Sequence, residues 1–139
     1  MVDSPKATLG LTELNLGIIP GWGGTQRLYR VVGKAEALDL ILFSKRIHAR
    51  QAHEMGLVHQ IVAPERFSQA VGEFAAHLAQ KPPLAVQAVL KAVTTGIYEG
   101  MDAGLRAEEE GSRVVAQSRD AVEGFTAFFE NRKPEFKGE

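Results

Sequence analysis

The stretch Gly10-Leu11-Thr12-Glu13-Leu14-Asn15-Leu16-Gly17-Ile18-Ile19-Pro20-Gly21-Trp22-Gly23-Gly24-Thr25-Gln26-Arg27-Leu28 decides the reading of the fold. Ala7 to Leu11 is a short strand candidate that runs into it. From Asn15 to Thr25 the chain carries Gly17, Pro20, Gly21, Gly23 and Gly24, which is the composition of a loop. Glu13 therefore stands between a strand end and a Gly-rich loop, where a side chain can face a cleft instead of a packed surface. Apolar neighbours at Leu11, Leu14 and Ile18 would disfavour its charged form and suit it to proton transfer. Gly21-Trp22-Gly23-Gly24 invites a phosphate-loop reading, but no Gly-Lys-Ser/Thr follows, and Gln26 stands where a dinucleotide fingerprint needs glycine. A tight turn with close backbone packing is the simpler account. Trp22 fits either core or pocket wall.

Outward from this stretch, helices dominate. Thr25 to Val32 opens a short helix that Gly33 breaks. Lys34 to Phe43 forms a second, with Ala37, Leu38, Ile41 and Leu42 on one face. Ala49 to Met55 is a third, capped by Gly56. Leu57 to Val62 reads as a strand. Pro64 suits the first turn of a helix reaching Gln80, on which Phe67, Val71, Phe74, Ala75 and Leu78 recur at helical spacing. After Pro82-Pro83 comes a helix striped with Val86, Val89, Leu90, Val93 and Ile97. Helices from Met101 to Gln117 and from Asp120 to Asn131 precede a polar tail. The two strand candidates lack obvious partners in the chain, so a larger α/β unit is expected to supply them.

Composition narrows the function. The chain has 139 residues, 45% hydrophobic and 24% charged, with a formal net charge of −1, which offers no electrostatic footprint for nucleic acid or an anionic membrane. Zero cysteines exclude a disulfide framework, a thiolate nucleophile and a zinc–thiolate site, and suit a reducing, cytoplasmic setting. No apolar leader and no membrane-spanning run is visible. His48, His53, His59 and His77 have no metal-site spacing, so no metal is expected. Glu108-Glu109-Glu110 reads as a solvated helix face with Glu109 and Arg113 paired.

The quoted stretch resembles the signature of the enoyl-CoA hydratase/isomerase, or crotonase, family. Val32-Gly33-Lys34-Ala35, the run from Ala49 to Val58, and Glu123-Gly124-Phe125-Thr126-Ala127-Phe128-Phe129-Glu130-Asn131-Arg132-Lys133-Pro134-Glu135-Phe136 extend the resemblance over the chain from Lys6 onward. It implies an α/β fold of the crotonase (ClpP/crotonase) type. This chain would be its C-terminal part, mostly helical with two short strands. Residues 1–62 would end the β-β-α core and carry the Glu13 loop, and residues 63–139 would form a helical trimerisation region. The resemblance implies acyl-CoA thioesters as substrates, no separate cofactor, and a homo-oligomer, trimer or hexamer.

In that family two backbone N–H groups stabilise the thioester enolate, and two glutamates add water across the double bond. Glu13 matches the second glutamate, the acid/base at the α-carbon. Thr12, Ile18 and Gly21 are candidates for lining the acyl pocket, and Phe125 and Lys133 for meeting the CoA moiety. The Phe125, Phe128 and Phe129 face is equally read as core or oligomer packing, and Lys137 as a solubilising charge. The segments bearing the oxyanion donors and the first glutamate are not in these residues. Each such donor is worth about 3–4 kcal/mol, so the chain alone is expected to be inactive. Two rivals stand beside the hydratase: a Δ3-Δ2-enoyl-CoA isomerase, which needs only one base, and a non-catalytic acyl-CoA-binding or oligomerisation module.

Overall fold

A side chain at residue 10 would have nowhere to go. In the computed structural model, which describes residues 1–139, a Cβ on Gly10 would sit 2.5 Å from the carbonyl oxygen of Lys45 and 3.3 Å from the Cα of Arg46. That approach seats β1 (Thr8–Leu9) against β2 (Ile47–His48). The pair is antiparallel, with Thr8 opposite His48 and Leu9 opposite Ile47. Helices supply the rest: α1 (Gly24–Val32), α2 (Lys34–Leu42), α3 (Ala49–Glu54), α4 (Phe67–Ala79), α5 (Pro83–Glu99), α6 (Met101–Val115) and α7 (Arg119–Phe129). The architecture is α/β, mostly helical, with two short strands.

The second strand is not where the sequence suggested. Leu57 to Val62 makes only one isolated bridge, Val62 with Val2. The N–H groups of Leu57 and Val58 instead donate to the carbonyl of Ala52, at 2.8 and 3.2 Å, wrapping the segment around the end of α3 through Gly56 (φ 74°). Backbone committed to a helix end is not free to join a ladder. The first strand also finds a partner within the chain, at Ile47–His48, contrary to expectation.

The contacts divide into two units, Met1–Gly72 and Glu73–Glu139. This division falls inside α4, whereas the sequence reading changed character at residue 63. In the first unit, Leu40, Ile47 and Ala52 form the core, with Met1, Leu28, Met55, Leu57 and Val58 packed around it. The apolar face of α2 buries Ala37, Leu40 and Ile41. Fully burying a Leu or Ile contributes about 1.5–3 kcal/mol, so Leu40 and Ile47 dominate a small core.

In the second unit, α5 and α6 touch through small residues. A Cβ on Gly104 would lie 2.8 Å from the Cα of Gly96, and one on Gly111 would lie 2.8 Å from the Cβ of Ala88. Ala88, Ala92 and Gly96 recur every four residues, so they share one face of α5. Ser118 caps α7. Its hydroxyl accepts the Ala121 N–H at 3.0 Å and donates to the Val115 carbonyl at 2.7 Å.

Candidate functional site

Glu13 opens a four-residue 3-10 turn, Glu13–Leu16, instead of lying in open loop. Gly17 closes the turn in the left-handed region (φ 73°), which glycine adopts without a Cβ penalty. Its N–H donates to the Leu14 carbonyl at 3.0 Å, and the Ile18 N–H donates to the Glu13 carbonyl at 3.3 Å. These bonds fix the Glu13 backbone and bring Ile18 back to it. The side chain is half-buried, and its Oε2 is shut off from solvent with no hydrogen-bond partner. Buried polar atoms are ordinarily paired, so the orphaned carboxylate oxygen marks Glu13 as the candidate site residue.

The Gly-rich loop returns onto the residues just before Glu13. Pro20 is buried. A Cβ on Gly24 would lie 3.3 Å from that of Pro20 and 3.4 Å from both methyls of Leu11, so glycine lets the start of α1 close against the Glu13 segment. Between them, Gly21 to Gly24 form a tight turn in which the Gly24 N–H donates to the Gly21 carbonyl at 2.9 Å. Both central residues have positive φ, 55° at Trp22 and 79° at Gly23. The Arg27 guanidinium folds back and donates to the Trp22 carbonyl. This clamp was not foreseen from the sequence; Arg27 stands four residues beyond Gly23, one helical turn into α1, and that spacing is the only signal for it.

Of the residues expected to line an acyl pocket, Thr12 is half-buried beside Glu13, while Ile18 and Gly21 are exposed. None of the three borders the hollow that lies beside β1 and α1. The nearest hollow, about 370 Å³, is bounded by Leu9, Gly10, Leu11, Leu28, Leu40 and Ile47 among others, with Arg27 on its wall. It touches the Glu13 segment only through Gly10 and Leu11.

Phe125 and Lys133 belong to the second unit. Phe125 is exposed but borders an apolar hollow of about 450 Å³ with Leu84, Val115, Phe128 and Phe136. Lys133 is exposed, and its carbonyl accepts from Arg132 at 3.2 Å. The tail folds back onto α7, an arrangement the sequence did not reveal. Asp120 is buried and accepts the N–H groups of Lys137 and Gly138, at 2.7 and 2.8 Å. Glu123 accepts two bonds from Arg132, at 2.6 and 2.8 Å, and the Glu135 N–H at 2.9 Å. The Arg132 bonds, then the Glu135 N–H, hold the Glu123 carboxyl at about 2, against an ordinary 4.5. The same pairing, together with Glu130, raises Arg132. Arg119, Asp120, Glu123, Arg132, Glu135, Lys137 and Glu139 surround a charged hollow of about 460 Å³, from which Lys133 is absent.

A mostly helical chain that sets a half-buried glutamate ahead of a Gly-rich turn has close counterparts among solved structures. It superimposes on the crystal structure of an enoyl-CoA hydratase from Bacillus anthracis with a TM-score of 0.94 at 40% identity, over 99% of this chain and 53% of that one. This defines a crotonase-type fold. In sequence it is 38% identical over 138 residues to the 2,3-dehydroadipyl-CoA hydratase of Escherichia coli (strain K12), covering 99% of this chain and 54% of the relative. It is 36% identical over 138 residues to the 1,2-epoxyphenylacetyl-CoA isomerase of the same strain, covering 99% and 53%. The family described as enoyl-CoA hydratase/isomerase matches residues 1–139, and the chain belongs to that family. It spans about half the length of the curated relatives it matches.

Proposed function

We propose that residues 1–139 form the proton-handling part of an enoyl-CoA hydratase, which adds water to a trans-2-enoyl-CoA. The observation that carries the reading is the buried, unpartnered Oε2 of Glu13 on a turn fixed by Gly17 and Ile18. In this reading a water oxygen bonds to the β-carbon and gives up one proton to the other glutamate, the C2–C3 π pair moves toward the thioester, and protonated Glu13 delivers its proton to the α-carbon, so that H and OH are added and the two carboxyls have exchanged one proton. A carboxyl free of local bonds can exchange that proton without first breaking a structural contact. The oxyanion donors and a second glutamate come from outside these residues, which lack the segments that bear them in the family. The chain alone is therefore inactive.

Thr12, Ile18 and Gly21 would face the acyl group, and Phe125 and Lys133 the CoA moiety. A trimeric or hexameric assembly goes with the proposal, supported by exposed apolar residues on α4, α5 and α7, including Phe74, Leu90 and Phe129. The cytoplasm is taken as the site of action. No helix is long and apolar enough to cross a membrane.

The test joins this chain to the part of the Bacillus anthracis enzyme that it does not cover and follows hydration of trans-2-butenoyl-CoA. Glu13→Gln is expected to lower kcat by about 10²- to 10⁴-fold, the usual share of a positioned acid/base, with KM little changed. Activity within a few-fold of the parent would remove Glu13 from the chemistry. Robust hydration by the purified 139-residue chain would overturn the need for outside donors. The second reading, a Δ3-Δ2-enoyl-CoA isomerase, is supported by the family description, which covers both hydratases and isomerases. Movement of the double bond in trans-3-hexenoyl-CoA without hydration of trans-2-butenoyl-CoA would select it.

A further inference from the structure

Arg27 holds the Gly-rich turn twice. Its backbone N–H donates to the Gly23 carbonyl at 2.9 Å, and its guanidinium folds back to donate to the Trp22 carbonyl. No backbone N–H reaches the Trp22 carbonyl, so the side chain is its donor. The guanidinium also lies against Gly23, where a Cβ would stand 2.5 Å from Nη1 and 3.1 Å from Cζ. Arg27 forms no ion pair within the chain, so no carboxylate there competes for its donors.

The turn needs such a tie. Trp22 has φ 55° and Gly23 φ 79°. Positive φ is uncommon outside glycine and rarer still for bulky residues, so Trp22 relaxes toward ordinary backbone unless it is held. A cationic donor on its carbonyl is suited to hold it, because charge-assisted bonds are the stronger class. Both ends of the loop meet the Glu13 segment. The Ile18 N–H donates to the Glu13 carbonyl at 3.3 Å, and Gly24 seats against Pro20 and Leu11, two residues before Glu13. A loop tied to Glu13 at one end and beside it at the other carries any change in its own shape to that residue.

We infer that Arg27 is a positioning residue for Glu13: by fixing the turn of residues 21–24 it sets where the Glu13 carboxylate stands. The inference rests on the acyl-CoA reading of the Glu13 site.

Two variants test it. Arg27→Met keeps an apolar stem on the wall of the hollow shared with Leu11 and Leu28 and removes every donor. Arg27→Lys restores one cationic donor. In the 139-residue chain, hydrogen exchange at the Gly24 amide, bonded to Gly21, and at the Ile18 amide, bonded to Glu13, reads the turn directly. Arg27→Met is expected to lower protection at both by about tenfold, as the loss of a bond to a charged group implies, and Arg27→Lys to recover most of it. In the joined enzyme described above, Arg27→Met is expected to lower kcat by about 10²-fold with KM little changed, the effect of a misplaced acid/base. Arg27→Lys should return kcat to within about tenfold of the parent. In a Glu13→Gln background, Arg27→Met is expected to lower kcat by no more than about threefold, since the group it positions is gone.

Unchanged exchange at both amides in Arg27→Met overturns the inference. So does an unchanged kcat, or a loss in the Glu13→Gln background as large as in the parent. These results leave the acyl-CoA reading intact. Full activity of the joined enzyme carrying Glu13→Gln alone overturns that reading, and the inference with it.

Discussion

Replacing Gly10 by Ala probes the contact that sets the Glu13 segment in place. The new methyl group would stand 2.5 Å from the Lys45 carbonyl oxygen and 3.3 Å from Arg46 Cα. Both neighbours are backbone, so no side-chain rotation relieves the overlap. To reach ordinary contact at 3.4 Å the chains must part by about 0.9 Å, which in a packed interior costs about 1–3 kcal/mol. The strand pair has only two residues on each side, so there is little ladder to absorb the displacement. Hydrogen exchange across Thr8–Leu9 and Ile47–His48 is the direct assay. Protection there is expected to fall by roughly ten- to a hundredfold, as a loss of that size implies for local opening. Gly21→Ala is the internal control. A Cβ there meets nothing within 4 Å, and the residue is not in the left-handed region. Its effect on stability is expected to stay within about 0.5 kcal/mol. A Gly10→Ala chain as protected as the parent, or a Gly21→Ala chain equally loosened, would refute the reasoning. Under the proposed function, a shift near 1 Å at residue 10 reaches Glu13 three residues later, and misplacement of that order is expected to cost about 10² in rate.

Two further predictions concern the tail. Asp120→Ala strips the acceptor from the Lys137 and Gly138 N–H groups; bonds to a charged group contribute about 1.5–3 kcal/mol each. Water can reach the freed amides of Lys137 and Gly138, so the tail should loosen by roughly 2–4 kcal/mol in all, and unchanged exchange of those two amides would count against the clasp. Glu123 is held at about 2, below its ordinary 4.5, so its contribution is present above pH 4.5 and lost as pH falls through about 2. Carboxyl NMR should find that midpoint, and Arg132→Ala should move it up toward 4.5; a midpoint indifferent to Arg132 would refute the assigned cause.

What the sequence disclosed followed from local rules. The helices were legible because their apolar periodicity and their Gly and Pro boundaries act within a few residues, as at Gly33, Gly56 and Pro82-Pro83. Glu13 was legible as a position, a carboxylate at the mouth of a Gly-rich loop. Its orphaned oxygen was not, because the burial of one oxygen depends on how the folded chain packs around it. Strand β2 escaped notice for the same reason. Ile47-His48 carries no strand signal of its own, and its pairing follows from the approach of Lys45 to Gly10. Leu57 to Val62 has the apolar composition of a strand, yet its first N–H groups are spent on the end of α3. The tail looked like a solvated end because Asp120 and Glu123 are ordinary helix-start acids until the chain comes back to meet them.

The arrangement of α5 links the fold to the proposed assembly. A lone helical hairpin gains most by turning its large apolar residues inward, since each buried Val or Leu contributes about 1.5–3 kcal/mol and Gly almost nothing. Here the helix does the reverse. Ala88, Ala92 and Gly96 meet α6, while Val89, Leu90, Val93 and Ile97 remain exposed. Small residues on the inner face let the two backbones approach closely and hold the hairpin with little apolar burial. The large residues are then free for a second contact. Phe125, Phe128 and Phe129 on α7 and Phe74 on α4 are exposed in the same way. Since the chain spans about half the length of its relatives, helices with their large faces outward are what a part of a larger packed body would present. The proposed role of Glu13 follows the same logic: a buried oxygen without a partner is costly in isolation, and the proposal gives it donors and substrate from outside these residues.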